Sequence, residues 1–175
     1  MLPTKHETPT DTMNLRDATP GDASAIAAIY NPYILDTTIS FEEDPVDVGE
    51  MARRIGDVQA AGLPWLVAEL DGAVIGYAYA TKWRVRHAYR HSVESSVYLA
   101  PAAARRGVGT ALYEALLGRL RAGGYHLVIG GIALPNEASV ALHEKMGYEK
   151  AAHFKEVGFK FGRWLDVGYW QRKLL

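Results

Sequence analysis

Residues 64–83 read PWLVAEL-DG-AVIGYAYATKW, two apolar runs joined by Asp71-Gly72. Both residues of that dipeptide tolerate the positive φ that a tight two-residue turn between antiparallel strands requires. The chain is thereby committed to a hairpin, and so to a sheet in which these two strands are neighbours. Every other segment has to be read as something that can pack on, or extend, that sheet.

Residues 13–18 (MNLRDA) alternate like a first strand, and 19–34 carry Thr19 as a helix cap, Pro20 at the first helical position and Ile26, Ile29, Tyr30 and Tyr33 at helical spacing. Residues 35–45 (LDTTISFEEDP) are too polar and β-branched to prolong that helix and read as a loop. A second helix covers 45–62, with Pro45 early and Gly62 as its stop. After the hairpin, HSVESSVYLAP reads as a strand ended by Pro101, and residues 107–122 as a helix closed by Gly123-Gly124. YHLVIGGIAL is apolar throughout, as a strand buried on both faces would be. NEASVALHEKM is a short helix ending at Gly147, and 148–175 supply two last strands. The order β-α-α-β-β-β-α-β-α-β-β implies an α+β domain with a mixed sheet, one domain over 13–175. Residues 1–12, polar and with two prolines, are expected to be a disordered tail.

Composition narrows the functions open to such a domain. With 175 residues, a net charge of −1 and no cysteine, the chain has no basic field for nucleic acid and no thiolate chemistry, and it fits a reducing, cytoplasmic setting. No apolar run approaches the roughly 18 residues of a membrane span. The histidines at 6, 87, 91, 126 and 153 are scattered without ligand spacing, so no metal is expected.

The strand ending at Pro101 leads into Arg105-Arg106-Gly107-Val108-Gly109-Thr110-Ala111 and directly into a helix. Glycines let backbone N–H groups approach an anion, the helix start adds partial positive charge, and the arginines add charge-assisted bonds. A phosphate fits this turn, although a plain helix start with a solvated basic rim has the same residues. Two other positions stand out. Glu94 lies mid-strand in HSVESSVYL, as a solvated outer-face residue or as a base in a cleft. His143 shares a helix face with Ser139 and Val140, where a lone histidine is more often structural.

Taken together, R-x-x-G-x-A after a strand, then an apolar strand, then N-E-A-S-x-x-L-H-x-K-M-G-Y, resemble the GNAT superfamily of acyl-CoA-dependent N-acetyltransferases. PWLVAE, VESSVYL, LPNEASVALHE and DVGYWQR narrow the resemblance to the phosphinothricin N-acetyltransferase group and its relatives acting on methionine sulfoximine and methionine sulfone. The resemblance implies a twisted, mostly antiparallel mixed sheet splayed between its fourth and fifth strands, with about four helices around it. Acetyl-CoA would lie in the splay, its pyrophosphate on Arg105 to Ala111. Its pantetheine arm would lie along Val97, Tyr98 and Leu99, with Asn136 and Ser139 on the far side. The resemblance also implies Glu94 as general base and His143 as acid or relay partner. For the amino-acid acceptor it implies Phe41, Arg84, Arg86, Tyr89 and Lys160, and it implies a homodimer. The activity so implied is direct acetylation of an α-amine in a ternary complex. Broader small-amine acetylation, or a silent acyl-CoA-binding regulatory domain, are the alternatives.

Overall fold

The computed structural model describes residues 12–175; the expected tail falls, but for Thr12, outside them. The hairpin forms where Asp71-Gly72 places it, with φ of 49° and 81°, between β2 (Trp65–Leu70) and β3 (Ala73–Lys82). Around it the chain adds β1 (Met13–Asp17), α1 (Ala23–Asp36), α2 (Val48–Ala60), β4 (Ser92–Leu99), α3 (Val108–Ala122), β5 (Leu127–Leu134), α4 (Glu137–Lys145), β6 (Glu149–Lys160) and β7 (Arg163–Lys173). The seven strands make one sheet in the order β1-β2-β3-β4-β5-β7-β6.

Helix ends follow local chemistry. A 3₁₀ turn at Pro20–Asp22 precedes α1, and the Asp22 carboxylate accepts the Thr19 N–H at 2.8 Å while pairing with Arg16 at 2.8 Å. α1 runs through Pro32 to Asp36, two residues beyond the sequence expectation. α2 starts at Val48 rather than near Pro45, because the Asp47 side chain caps it by accepting the Glu50 N–H at 2.7 Å.

The sheet is covered on both faces. A Cβ on Gly76 would meet Leu112 of α3, whereas the ring of its neighbour Tyr77 packs with Tyr98, which meets Tyr30 and Tyr33 of α1 edge-on at 4.9 and 5.2 Å. Successive strand residues point to opposite faces, so α1 with α2 and α3 with α4 lie on opposite sides. Leu112, Tyr113, Leu116 and Leu120 fill the α3 side, Ile26, Ile34, Met51 and Ile55 the other.

All strand pairs are antiparallel except β4 with β5, whose register covers only Ser92–Glu94 against Leu127–Ile129. Beyond it β4 continues to Leu99 on β3 and β5 to Leu134 on β7, without pairing to each other. This is the expected splay. The loop between α1 and α2 overlies its mouth and is pinned at several points. Tyr30 Oη and Ser40 Oγ are 2.8 Å apart, and Asn31 exchanges two bonds with the Val46 backbone at 2.9 and 2.8 Å. Buried Lys160 donates from Nζ to the carbonyls of Ile34 at 2.7 Å and Ser40 at 2.6 Å.

Removing that ammonium leaves two carbonyls under the loop without their donor. Lys160→Met is therefore expected to lose about 1–3 kcal/mol of stability, read from the urea midpoint; an unchanged midpoint would contradict the pinning role.

Candidate active site

The backbone of β4 sets the site. Ser92 O accepts the Trp83 N–H at 3.2 Å and Ile75 O accepts the Ala100 N–H at 2.8 Å. Even-numbered residues of β4 therefore bond to β3, and the odd-numbered ones turn their N–H and C=O toward β5. Past the last β4–β5 pair these groups face the splay. Of the three residues expected to meet a pantetheine arm, Val97 offers both backbone groups. Leu99 offers its N–H, its carbonyl accepting from Tyr33 Oη at 2.6 Å. Tyr98 spends its backbone on β3, and its ring packs on Tyr30, Tyr33 and Tyr77 at the border of the cleft.

At the apex of the splay lies a buried hydrogen-bond chain. Ser95 Oγ is 3.0 Å from Tyr148 Oη, 3.5 Å from Tyr113 Oη and 3.4 Å from the Ile129 carbonyl. Tyr113 Oη is 3.0 Å from His143 Nε2, and His143 Nδ1 is 2.7 Å from the Ser139 carbonyl. A carbonyl only accepts, so Nδ1 carries the hydrogen, and in the neutral ring Nε2 accepts from Tyr113. Burial pushes the His143 pKa down, against the raising effect of the Ser139 carbonyl. In the neutral ring His143 therefore ends the chain as an acceptor from Tyr113.

Glu94, one residue before Ser95, points to the opposite face. Two adjacent glycines of β5 make room for both groups. A Cβ on Gly130 would stand 2.5 Å from His143 Nε2, and one on Gly131 would stand 3.3 Å from Glu94 Oε1 and 3.1 Å from Tyr169 Cε1. Burial pushes the Glu94 carboxyl above the ordinary range, and the nearby Arg84 charge works against it. The cleft on this face is about 280 Å³, at the small end for ligand sites, and is walled by Ile39, Phe41, Ala133, Val157, Val167 and Tyr169 around Glu94. On the other face a narrower cleft is lined by Ser95 to Tyr98, Tyr113, Asn136, Ser139 and His143. Ile39, Gly131 and Ala133 border both, so the two clefts meet across a strand that carries no side chain at its middle.

The turn before α3 has Arg105 and Gly107 at φ of 61° and 72°. Helix geometry leaves the amides of Val108, Gly109 and Thr110 without an acceptor inside the helix. The Ala111 amide is committed to the Gly107 carbonyl at 3.0 Å, so the cradle ends one residue earlier than the sequence implied. Gly109 also differs from expectation: a Cβ there would meet Leu142 at 3.2 Å, so it serves the close packing of α3 on α4. Lys145 Nζ donates to Thr110 Oγ1 at 3.2 Å and adds a cation at the rim. Asn136 caps α4, its side chain accepting the Ser139 N–H at 3.1 Å.

The acceptor residues implied by sequence divide. Phe41 lines the Glu94 cleft. Arg84 is exposed and lines neither cleft, but its charge acts on Glu94, and its guanidinium lies 4.2 Å over the Trp83 ring, which meets Tyr169 edge-on at 5.6 Å. Arg86 and Tyr89 are exposed in the segment after β3 and line neither cleft. Lys160 does not reach the cleft; its Nζ is held by the two carbonyls already described. Sequence reasoning missed Ser95, Tyr113, Tyr148, Gly130, Gly131, Val157 and Tyr169. The Gly-Gly pair inside an apolar strand was the one local signal, since glycine within a strand marks a close approach.

With this geometry the chain was compared with known proteins. The profile of the acetyltransferase (GNAT) domain matches residues 15–168. The chain is 47% identical to a phosphinothricin N-acetyltransferase of Alcaligenes faecalis over 154 residues, covering 87% of this chain and 78% of the relative. It is 38% identical to the L-methionine sulfoximine/L-methionine sulfone acetyltransferase of Salmonella typhimurium over 162 residues, covering 93% and 95%. Among solved structures, an acetyltransferase of Salmonella typhimurium with its cofactor acetyl-CoA superposes with a TM-score of 0.90 at 37% identity, covering 93% and 94%.

Burial raises the folded-state pKa of Glu94, so the residue favours the fold below the unfolded carboxyl pKa, and this contribution is lost as pH rises through the folded pKa. Glu94→Gln, uncharged at every pH, is therefore expected to melt above wild type at neutral pH, with the gap closing toward about pH 4. A constant gap in thermal scans would contradict a half-buried, ionising Glu94.

Proposed function

The chain belongs to the GNAT acetyltransferase family and is an acetyl-CoA-dependent N-acetyltransferase; we propose that its acceptor is the α-amine of a small polar amino acid of the phosphinothricin or methionine sulfoximine/sulfone kind. The observation that carries this is the placement of Glu94, half-buried in the wall of a small cleft and separated by the side-chain-free Gly131 from the cleft on the Ser95 and His143 side of the sheet. The names of the relatives supply the acceptor class, and the cleft size suits it.

In this reading the amides at the start of α3, with Arg105 and Arg106, hold the pyrophosphate, and Val97 meets the pantetheine arm. Acetyl-CoA supplies the thioester. Glu94 takes a proton from the substrate ammonium, directly or through one water, which exposes the nitrogen lone pair. Its raised pKa brings a carboxylate closer to the neutral range where a base works best. The Val97 N–H faces the negative charge that develops on the acyl oxygen. Arg84 answers the substrate carboxylate. His143, neutral and tied to Tyr113, positions Ser139 and the start of α4. Acetylating such an acceptor would serve detoxification or resistance, in the cytoplasm.

We also read the chain as a homodimer. Phe154, Phe159, Phe161 and Trp164 are 52 to 62% exposed along β6 and β7, an apolar surface of the kind that marks an interface, and Arg86 and Tyr89 lie outside their own cleft. Sedimentation at micromolar concentration is expected to give a dimer; a stable monomer would refute it.

The acceptor reading is tested by thiol release from acetyl-CoA with phosphinothricin, methionine sulfoximine, methionine sulfone and the common amino acids. One of the first three is expected to exceed every common amino acid by roughly tenfold or more in kcat/KM; equal use of common amino acids would overturn it. Glu94→Gln is expected to lose about 10²–10⁴-fold in kcat while acetyl-CoA still raises its melting temperature. A loss under about threefold would remove the carboxylate from the mechanism.

A further inference from the structure

Between Phe154, opposite Val167, and Gly158, opposite Leu165, three residues of β6 (Lys155, Glu156, Val157) stand against one residue of β7, Asp166. Such a bulge bends its strand and re-aims side chains. This one is clamped. Asp166 accepts the Glu156 N–H at 2.9 Å through Oδ1 and lies 2.7 Å from His153 Nε2 through Oδ2, and Glu156 is held at φ of 51°, a conformation a non-glycine residue keeps only when its surroundings impose it. The bulge puts Val157 in the wall of the Glu94 cleft although the residue is 58% exposed. The next residue, Gly158, gives its side-chain space to Phe41, whose Cε2 lies 2.3 Å from where a Cβ would stand. One irregular stretch of β6 therefore presents Val157 and seats Phe41 as the outer wall of the cleft.

We propose that Val157 selects the acceptor by the length and bulk of its side chain, and that Asp166 is the positioning residue that holds it there by clamping the β6 bulge. This rests on the reading of the Glu94 cleft as the acceptor site. With the amine at Glu94 and the carboxylate toward Arg84, the substrate side chain is left to the apolar wall of Ile39, Phe41, Val157 and Val167. A methylene more or less against such a wall changes kcat/KM by about 10–200-fold. Asp166 touches no substrate in this arrangement; it acts by fixing where Val157 stands.

The test measures kcat and KM for alanine, methionine sulfone and ethionine sulfone with wild type, Val157→Phe, Val157→Ala, Asp166→Ala and Asp166→Asn. Val157→Phe is expected to lose about tenfold or more in kcat/KM for methionine sulfone relative to alanine, mainly through KM. Val157→Ala is expected to shift preference toward ethionine sulfone. Asp166→Ala is expected to raise the acceptor KM with little change in kcat or in the KM for acetyl-CoA. Asp166→Asn, which can still accept the Glu156 N–H, is expected to stay near wild type. Variants that keep the wild-type order and KM values overturn the selector while leaving the acceptor site intact. A wild-type enzyme that acetylates none of the three overturns the selector, and the acceptor reading falls with it when phosphinothricin and methionine sulfoximine are also refused.

Discussion

The parallel ladder between β4 and β5 ends after three residue pairs, at Glu94 opposite Ile129, and the rest of the site exists because it ends there. Two parallel strands that stayed paired would satisfy one another's backbone and leave no edge for a ligand. Here the apex is occupied by groups that cannot collapse into an apolar seam. Ser95, Tyr113, Tyr148 and His143 are joined by hydrogen bonds and nearly inaccessible to solvent. A satisfied buried network of this kind resists rearrangement, because breaking any one bond strands a polar atom away from water. The strands diverge around it, Val97 turns its N–H and C=O to the opening, and the cleft is lined from Tyr98 down to Ser95 at the apex.

The same apex separates two ionisable groups by a single strand and shifts them in opposite directions on the pKa scale. Burial raises the Glu94 carboxyl and lowers the His143 imidazole, so for both it disfavours charge. Their surroundings then divide the roles. Glu94 has open cleft beside it and Arg84 nearby, which lets it ionise and take a proton. His143 has both ring nitrogens engaged, by Tyr113 and by the Ser139 carbonyl, so a proton reaching its neutral ring arrives along the bond from Tyr113. The resemblance implies His143 as acid or relay partner, and its hydrogen-bond partners place it at the end of the Ser95–Tyr113 chain.

What was legible in the sequence is what local chemistry decides. Asp71-Gly72 dictates a turn whatever surrounds it, Gly107 can take a left-handed backbone that few other residues accept, and Asn136 caps the helix that follows it. The element order and the splay followed from these and from the family resemblance. Other features depend on registers set by distant segments. The resemblance implies Lys160 as an acceptor ligand; only its position under the α1–α2 loop commits it to Ile34 and Ser40. Arg86 and Tyr89 sit in a basic, aromatic segment like Arg84, but the chain turns them outward. The bulge at 155–157 has no sequence signature, since Lys-Glu-Val is an ordinary strand tripeptide and the clamp comes from Asp166 on another strand. Gly130-Gly131 was visible as a pair, yet its meaning lies in the two side chains, on opposite faces, that occupy the space it leaves.

The central claim is that Gly131 is the opening through which an amine in one cleft meets a thioester in the other. Single-turnover acetyl transfer by Gly131→Val, with acetyl-CoA binding followed by thermal shift on the same protein, tests it most directly. Branched carbons at this position would fill the space between Glu94 and Tyr169. The expected result is retained acetyl-CoA binding with transfer slowed by about 10²-fold or more. Transfer at the wild-type rate would show that the two clefts do not meet there, and would contradict the account.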